Sequence, residues 1–310
     1  MKNMQKKWFS ENNKKWLNKK FEVYLDPSYY EKILPKYNFN GKSDEEILEG
    51  WLKDKIKEQG HKFKLGLELG CGSGRGTNIL AKYCEKIVAV DLNKKMLELA
   101  KKRFASNNKI IFYNEEMLEF VDKNKQLMND VDLVVSFWAI NYSLNAEFAF
   151  RDPQKKIFQS KNPELALSRG IKKLESLFDN ISDDSKFIFF HYDPESEEQK
   201  IAHYCWEKIV QFPFGEKSPS LLTLRKFFEN RKDINSCICK INGLVDLGKT
   251  DRALETFMNF HLHTSFNNHQ LEKEIIEMIE KHLKKYDQKN IKMCAGTIIL
   301  KGEKIKCQKN

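Results

Sequence analysis

Apolar positions along the chain fall into two rhythms. Short, nearly continuous apolar runs lie at 63–69, 86–91, 109–114, 131–137 and 186–192. Such runs are what strands buried on both faces of a parallel sheet require. Between them the spacing becomes helical. Met96, Leu97, Ala100 and Phe104 form one stripe, and Leu167, Ile171, Leu174 and Phe178 form another behind Asn162-Pro163. Strand alternating with helix over residues 61–192 predicts a doubly wound α/β core.

The flanks read differently. Residues 1–60 are expected to form a helical N-terminal cap. Asp26-Pro27 sets a capping residue before a proline at the first helical position. Ser43 and Glu46 make a capping box for a stripe of Ile47, Leu48, Trp51, Leu52 and Ile56, which Gly60 ends. Residues 193–290 predict helices near 196–211, 220–229, 252–262 and 270–286, with a sixth strand near 235–247. A final strand near 291–301 begins the last segment, 291–310, and completes the sheet. The expected architecture is a mostly parallel seven-stranded sheet with a helical insertion after the fifth strand, serving as a lid over a substrate.

Composition narrows the class. The chain has 310 residues, 41% hydrophobic and 12% aromatic, enough for one large core. No apolar run approaches the roughly 18–20 residues of a membrane helix, and no apolar stretch follows the lysines near Met1, so neither membrane nor signal peptide is expected. The seven cysteines are odd in number and include no Cys-x-x-Cys pair. They read as reduced thiols of a cytoplasmic protein rather than disulfides or a zinc site. Cys237 and Cys239 share one face of the sixth strand as core residues. His261 and His263, with His269 beyond, have no acidic partner in ligand spacing, and no metal is expected. Lys+Arg exceeds Asp+Glu by 54 to 44, a net charge of +10. The lysines are dispersed rather than clustered, which argues against nucleic acid without excluding it. Oligomeric state is not legible.

The chemistry starts at Glu68-Leu69-Gly70-Cys71-Gly72-Ser73-Gly74, which follows a strand and opens a helix. Glycines permit a sharp turn and close approach of a ligand. Asp91 ends the second strand 21 residues after Gly70, where a carboxylate can hold ribose hydroxyls. A dinucleotide loop needs a glycine at Arg75 or at Thr77, counting from Gly70 or from Gly72, and neither register supplies it. Glu68 would also repel a pyrophosphate but suits ammonium and sulfonium charge.

On these residues the chain resembles the class I, Rossmann-like S-adenosylmethionine-dependent methyltransferases, well over 62–192 and by layout elsewhere. The resemblance implies that Glu68, Gly70, Cys71, Gly72 and Gly74 hold the methionine moiety, that Asp91 holds the ribose, and that Leu92 packs on the adenine. Either Glu116 or Glu115, with Met117 alongside Glu116, would meet the adenine amino group, in place of the family's usual Asp. In the fourth strand, Ser136 and Phe137 would line the cofactor and Trp138 would face the methyl group. S-adenosylhomocysteine would be the product.

Methyl transfer from a sulfonium is an in-line displacement in which positioning supplies most of the catalysis. His191 at the end of the fifth strand, with Tyr142 and Asn141 after the fourth, are candidates to touch the acceptor; Tyr24, Tyr29 and Tyr30 are candidates to cover the cofactor. Arg151 is a candidate partner for an acidic substrate. Ser136-Phe137-Trp138-Ala139 lacks the Pro-Pro-aromatic motif of enzymes that methylate exocyclic base amines, and no cysteine sits in a Pro-Cys or Thr-Cys setting. The layout is similar to small-molecule carboxylate and amine methyltransferases. The expected reaction is methylation of an O or N atom of a small molecule; an RNA- or protein-directed enzyme is the alternative.

Overall fold

The computed structural model describes residues 27–151, 157–263, 265–266 and 269–305. Tyr24 and the side chain of Arg151 lie outside the described residues. An eight-stranded sheet runs in the order β1-β9-β10-β8-β5-β2-β3-β4. Its centre is β2 (Phe63–Leu69), flanked by β3 (Cys84–Asp91) and β5 (Leu133–Phe137), with β4 (Ile110–Asn114) and β8 (Lys186–Tyr192) further out, all parallel. β10 (Ile291–Lys304) inserts antiparallel between β8 and β9 (Ile234–Gly248). The seven expected strands are present. The eighth, β1 (Lys36–Asn38), was not anticipated. It pairs antiparallel with Leu244–Asp246 of β9, so the N-terminal cap is not wholly helical. Three residues are too few to show a strand rhythm, and β1 exists because β9 offers it an edge.

Helices cover both faces. The first helix is α1 (Pro27–Ile33). Against one face of the sheet lie α2 (Asp44–Gln59), α3 (Arg75–Tyr83) and α4 (Lys94–Arg103), on which α1 packs; against the other lie α5 (Met117–Lys123), α6 (Ile140–Phe148) and α7 (Pro163–Asn180). The α2 capping box forms as its sequence dictates: Glu46 N donates to Ser43 Oγ at 3.2 Å, and Ser43 N to Glu46 Oε2 at 2.7 Å. Gly60 closes the helix in the left-handed conformation. Alternation along the strands feeds two cores. Phe187 and Phe189 of β8 join Phe178 of α7 beneath Phe227 and Phe228 of α9 (Pro219–Glu229). Ile188 and Phe190 face Leu48, Leu52 and Leu80 on the opposite side. Each such side chain contributes about 1.5–3 kcal/mol by leaving water. A short hairpin, β6 (Ala149–Arg151) with β7 (Ile157–Gln159), follows α6 and was also not anticipated.

The expected helical insertion is split by β9. Helices α8 (Glu197–Trp206) and α9 precede it. After it come α10 (Thr250–Glu255), continuing into a π-helical turn at Thr256–His261, and α11 (Glu272–Leu283). Ile201, Ala202 and Cys205 pack with Phe257, Ile275 and Ile279 on the ends of β9 and β10 in a third apolar cluster. Among the described residues no helix is long and apolar enough to cross a membrane.

Candidate functional site

The turn after β2 is held by the strand beside it. Gly70 N and Cys71 N both donate to Val90 O, at 2.8 and 3.1 Å, and Gly72 N donates to Asp91 Oδ2 at 2.7 Å. Gly70, Gly72 and Gly74 all have positive φ. A Cβ on Gly70 would stand 2.2 Å from Ala139 Cβ, so only glycine lets the loop approach the β5 exit. Gly74, the N-cap of α3, has φ 94°, and a Cβ there would lie 2.6 Å from Phe104 Cε2. Gly74→Ala is therefore expected to lower stability by about 1–2 kcal/mol through left-handed strain, with ring displacement adding to it. Denaturant unfolding measures this, and an unchanged midpoint would refute the assignment of Gly74 to backbone geometry.

A cavity of about 400 Å³ opens at this loop and runs under the N-terminal segment and α8, within the size range of small-molecule sites. Glu68, Gly70, Cys71, Gly72, Asp91, Leu92, Glu116, Met117, Phe137, Trp138 and Tyr142 line it, together with Asn141 and Tyr30. Sequence reasoning had singled out all of these. Tyr29 instead donates to Glu255 at 2.6 Å.

Glu68 is 1% exposed and accepts Thr77 Oγ1 at 2.5 Å. Burial lifts its carboxyl to about 8, against the Thr77 hydrogen bond and with the Asp91 charge adding to the rise. Among the described residues no lysine or arginine pairs with it. Burial also raises Asp91, while the amides of Asn93 (2.7 Å to Oδ1) and Gly72 pull it down. Glu68, buried, and Asp91, half-buried, both line this end of the cavity, where Arg75 is already paired with Asp44 and Glu45, so they suit a ligand that brings its own positive charge and hydroxyl donors. This donor set fits S-adenosylmethionine.

The structure corrects several expectations. His191 does not reach the cavity. It is fully buried, with Nε2 2.8 Å from Ser220 Oγ and Nδ1 2.7 Å from Tyr192 O, and burial pushes it down to about 4. The strand alternates there, and Tyr192 is the residue presented to the cavity. Ser136 is buried and donates to Leu69 O at 3.0 Å, joining β5 to β2 rather than lining the cofactor end. Gly74 likewise does not line it. Glu116 lines the cavity, but its Oε2 caps α5 by accepting Leu118 N and Glu119 N at 3.0 and 2.8 Å, while Glu115 pairs with Lys123. Trp138 has φ 63°, and its Nε1 donates to Asp44 Oδ2 at 2.8 Å.

Other features had no such notice. Arg75 binds both oxygens of Asp44 at 3.1 Å and Glu45 Oε1 at 2.8 Å, which ties α3 to the start of α2. Tyr37 stacks on Trp138 at 5.4 Å. His203 and His261 both line the far end of the cavity. A signal for His203 was available on α8, where it lies in a mostly buried helix and Glu198 occupies the apolar stripe of Ile201, Ala202 and Cys205; His261 had been weighed only as a metal ligand and set aside for want of an acidic partner in spacing.

Comparison with known proteins gives the same direction. Residues 67–155, from the glycine loop through α6, match the family described as methyltransferase domain. Ribosomal RNA small subunit methyltransferase A of Mesoplasma florum is 23% identical over 221 residues, 62% of this chain and 82% of that protein. A solved protein from Anaeromyxobacter dehalogenans, classed as a type II methyltransferase, is 12% identical with TM-score 0.50, covering 87% of this chain and 97% of its own. The YcgJ protein of Bacillus subtilis is 14% identical with TM-score 0.48, covering 83% of this chain and 98% of its own. The Anaeromyxobacter likeness shows the fold. With the matched domain, the strand order and the cavity at the glycine loop in agreement, the chain carries a methyltransferase domain on a class I, Rossmann-like fold, with a site that fits S-adenosylmethionine.

Proposed function

We propose that the acceptor is a small molecule, methylated on an oxygen or nitrogen atom inside the cavity. One observation carries this reading: the cavity that starts at Gly70 and Asp91 continues under Tyr30, Tyr37, Trp206, Phe212 and Phe260, so its far end is roofed by aromatic side chains. A roofed apolar end fits a compact acceptor and excludes water from the reaction.

The bound cofactor supplies a methyl group on a sulfonium. Glu68 would face the positive end of the ligand, and Asp91 the ribose. Leu92 and Met117 would pack on the adenine, with Glu116 Oε1 left for its amino group. Trp138 and Tyr142, where the two ends of the cavity meet, would orient the acceptor.

An RNA-directed reading has two supports of its own, the +10 charge and the similarity to the ribosomal RNA enzyme. Labelling separates the two. The purified protein and tritiated S-adenosylmethionine are incubated separately with the low-molecular-weight, RNA and protein fractions of a cell extract. Label in the low-molecular-weight fraction is expected. Label confined to RNA, with an electrophoretic shift that weakens steeply with salt, would replace this reading with the second.

A further inference from the structure

The far wall of the cavity is backed by a carboxylate that no lysine or arginine among the described residues neutralises. Glu198 of α8 is 1% exposed. The Tyr37 hydroxyl donates to its Oε1 at 3.1 Å, and His261 Nε2 stands 2.8 Å from the same oxygen. A buried carboxylate is costly unless something nearby needs its charge. The group it faces is an imidazole that lines the cavity.

His261 ends the π-helical turn, a wide backbone turn often found at functional sites. Phe257 and Phe260 hold its ring at centroid distances of 5.2 Å each, the latter edge-on. Its Nε2 is near Glu198 but out of line for a hydrogen bond. At that separation only the direction of the Nε2–H, not the distance, keeps the two apart. Beside it, His203 is buried and its Nδ1 has no partner among the described residues. Burial pushes His203 down to about 4, with the Lys217 charge adding to the fall, so His203 is a neutral ring facing the same cavity.

We propose that Glu198 and His261 form a proton-accepting dyad, and that the acceptor is therefore an amine or hydroxyl that gives up a proton on methylation, not a carboxylate. This rests on the small-molecule reading above. As the acceptor's lone pair bonds to the methyl carbon, the carbon–sulfur bond breaks and its electron pair stays on sulfur. The acceptor's proton passes to His261 Nδ1. That leaves a neutral methylated product and an imidazolium beside the Glu198 carboxylate. A carboxylate acceptor has no proton to deliver and leaves the dyad idle. His261 is the catalytic residue of the pair; Glu198, held by Tyr37, is a positioning residue that fixes the tautomer with hydrogen on Nε2.

Two measurements test this on the full chain. The first is the tautomer of His261, read from two-bond proton–nitrogen spectra of nitrogen-15-labelled protein with S-adenosylhomocysteine bound, the resonance being assigned with His261→Gln. The Nε2–H form is expected in the wild type and a mixture of tautomers in Glu198→Ala, with Glu198→Gln as the near-isosteric companion. The same tautomer in all three overturns the dyad. The second is transfer of tritiated methyl to a panel of aromatic amines, phenols and aromatic carboxylic acids. Label in amines or phenols is expected, with kcat falling about 100-fold or more in His261→Gln and KM changing far less. Label in the carboxylic acids alone, or an unchanged kcat, overturns the proposal. A retained melting-temperature rise with S-adenosylhomocysteine shows that each variant folds. If label enters RNA and no panel compound, the small-molecule reading fails, and the tautomer result still decides on the dyad.

Discussion

Glu68→Gln is expected to do two opposite things: weaken cofactor binding by about 10- to 100-fold, and make the unliganded protein more stable at pH 7–8. The first effect follows from losing a charged hydrogen-bonding partner, worth about 1.5–3 kcal/mol. The second follows from burial. The folded chain holds the Glu68 proton up to about pH 8, whereas the ordinary value is 4.5. Between those values the folded state binds more protons than the unfolded state, so this group costs stability increasingly as pH rises through that window. Glutamine keeps the Thr77 hydrogen bond and has no proton to lose. The melting-temperature difference, variant minus wild type, should grow from pH 5 to pH 8. Binding carries the matching signature. A cationic ligand favours ionised Glu68, so wild-type binding near pH 6 releases close to one proton per site, and Glu68→Gln releases none. Calorimetry in two buffers of different ionisation enthalpy reads this. No proton release by the wild type would mean that Glu68 does not face the cation.

Asp91→Ala has the second large effect. It removes the acceptor for Gly72 N and Asn93 N as well as the group placed for the ribose. Affinity for S-adenosylhomocysteine should fall by about 1–3 kcal/mol. The glycine turn also loses its tie to β3, and two partly buried amides lose their partner. The unfolding midpoint should therefore fall as well. Asp91→Asn keeps one acceptor oxygen and should lie between the two. Affinity unchanged in Asp91→Ala would remove Asp91 from the cofactor site, whatever its effect on stability.

Legibility in the sequence followed the range of the interactions. Strands β2, β3, β5 and β8 announce themselves as apolar runs because both of their faces are largely buried, and the cofactor end is local, being a turn and the ends of two neighbouring strands. The far end was less legible because it is assembled across the chain. Tyr37 meets Glu198 across 161 positions, and Asp44 meets Trp138 across 94. No periodicity reports such pairs. His191 misled for a related reason. Its place at a strand end was correct, but a one-residue step of the pleat turns it towards Ser220 and gives the cavity to Tyr192. Glu198 was the readable exception, a charged residue on the buried stripe of a helix.

The pairing of Lys36–Asn38 with Leu244–Asp246 also sets a timetable for synthesis. The segment that roofs the glycine loop leaves the ribosome early, yet the edge it docks on is made roughly 200 residues later, about 10–40 s at 5–20 residues per second. Among the described residues, β9 in turn joins the parallel strands only through β10, which is made later still. In a nascent chain, β1 therefore has no edge to dock on until β9 and β10 have both emerged, and the enclosed chamber closes only then.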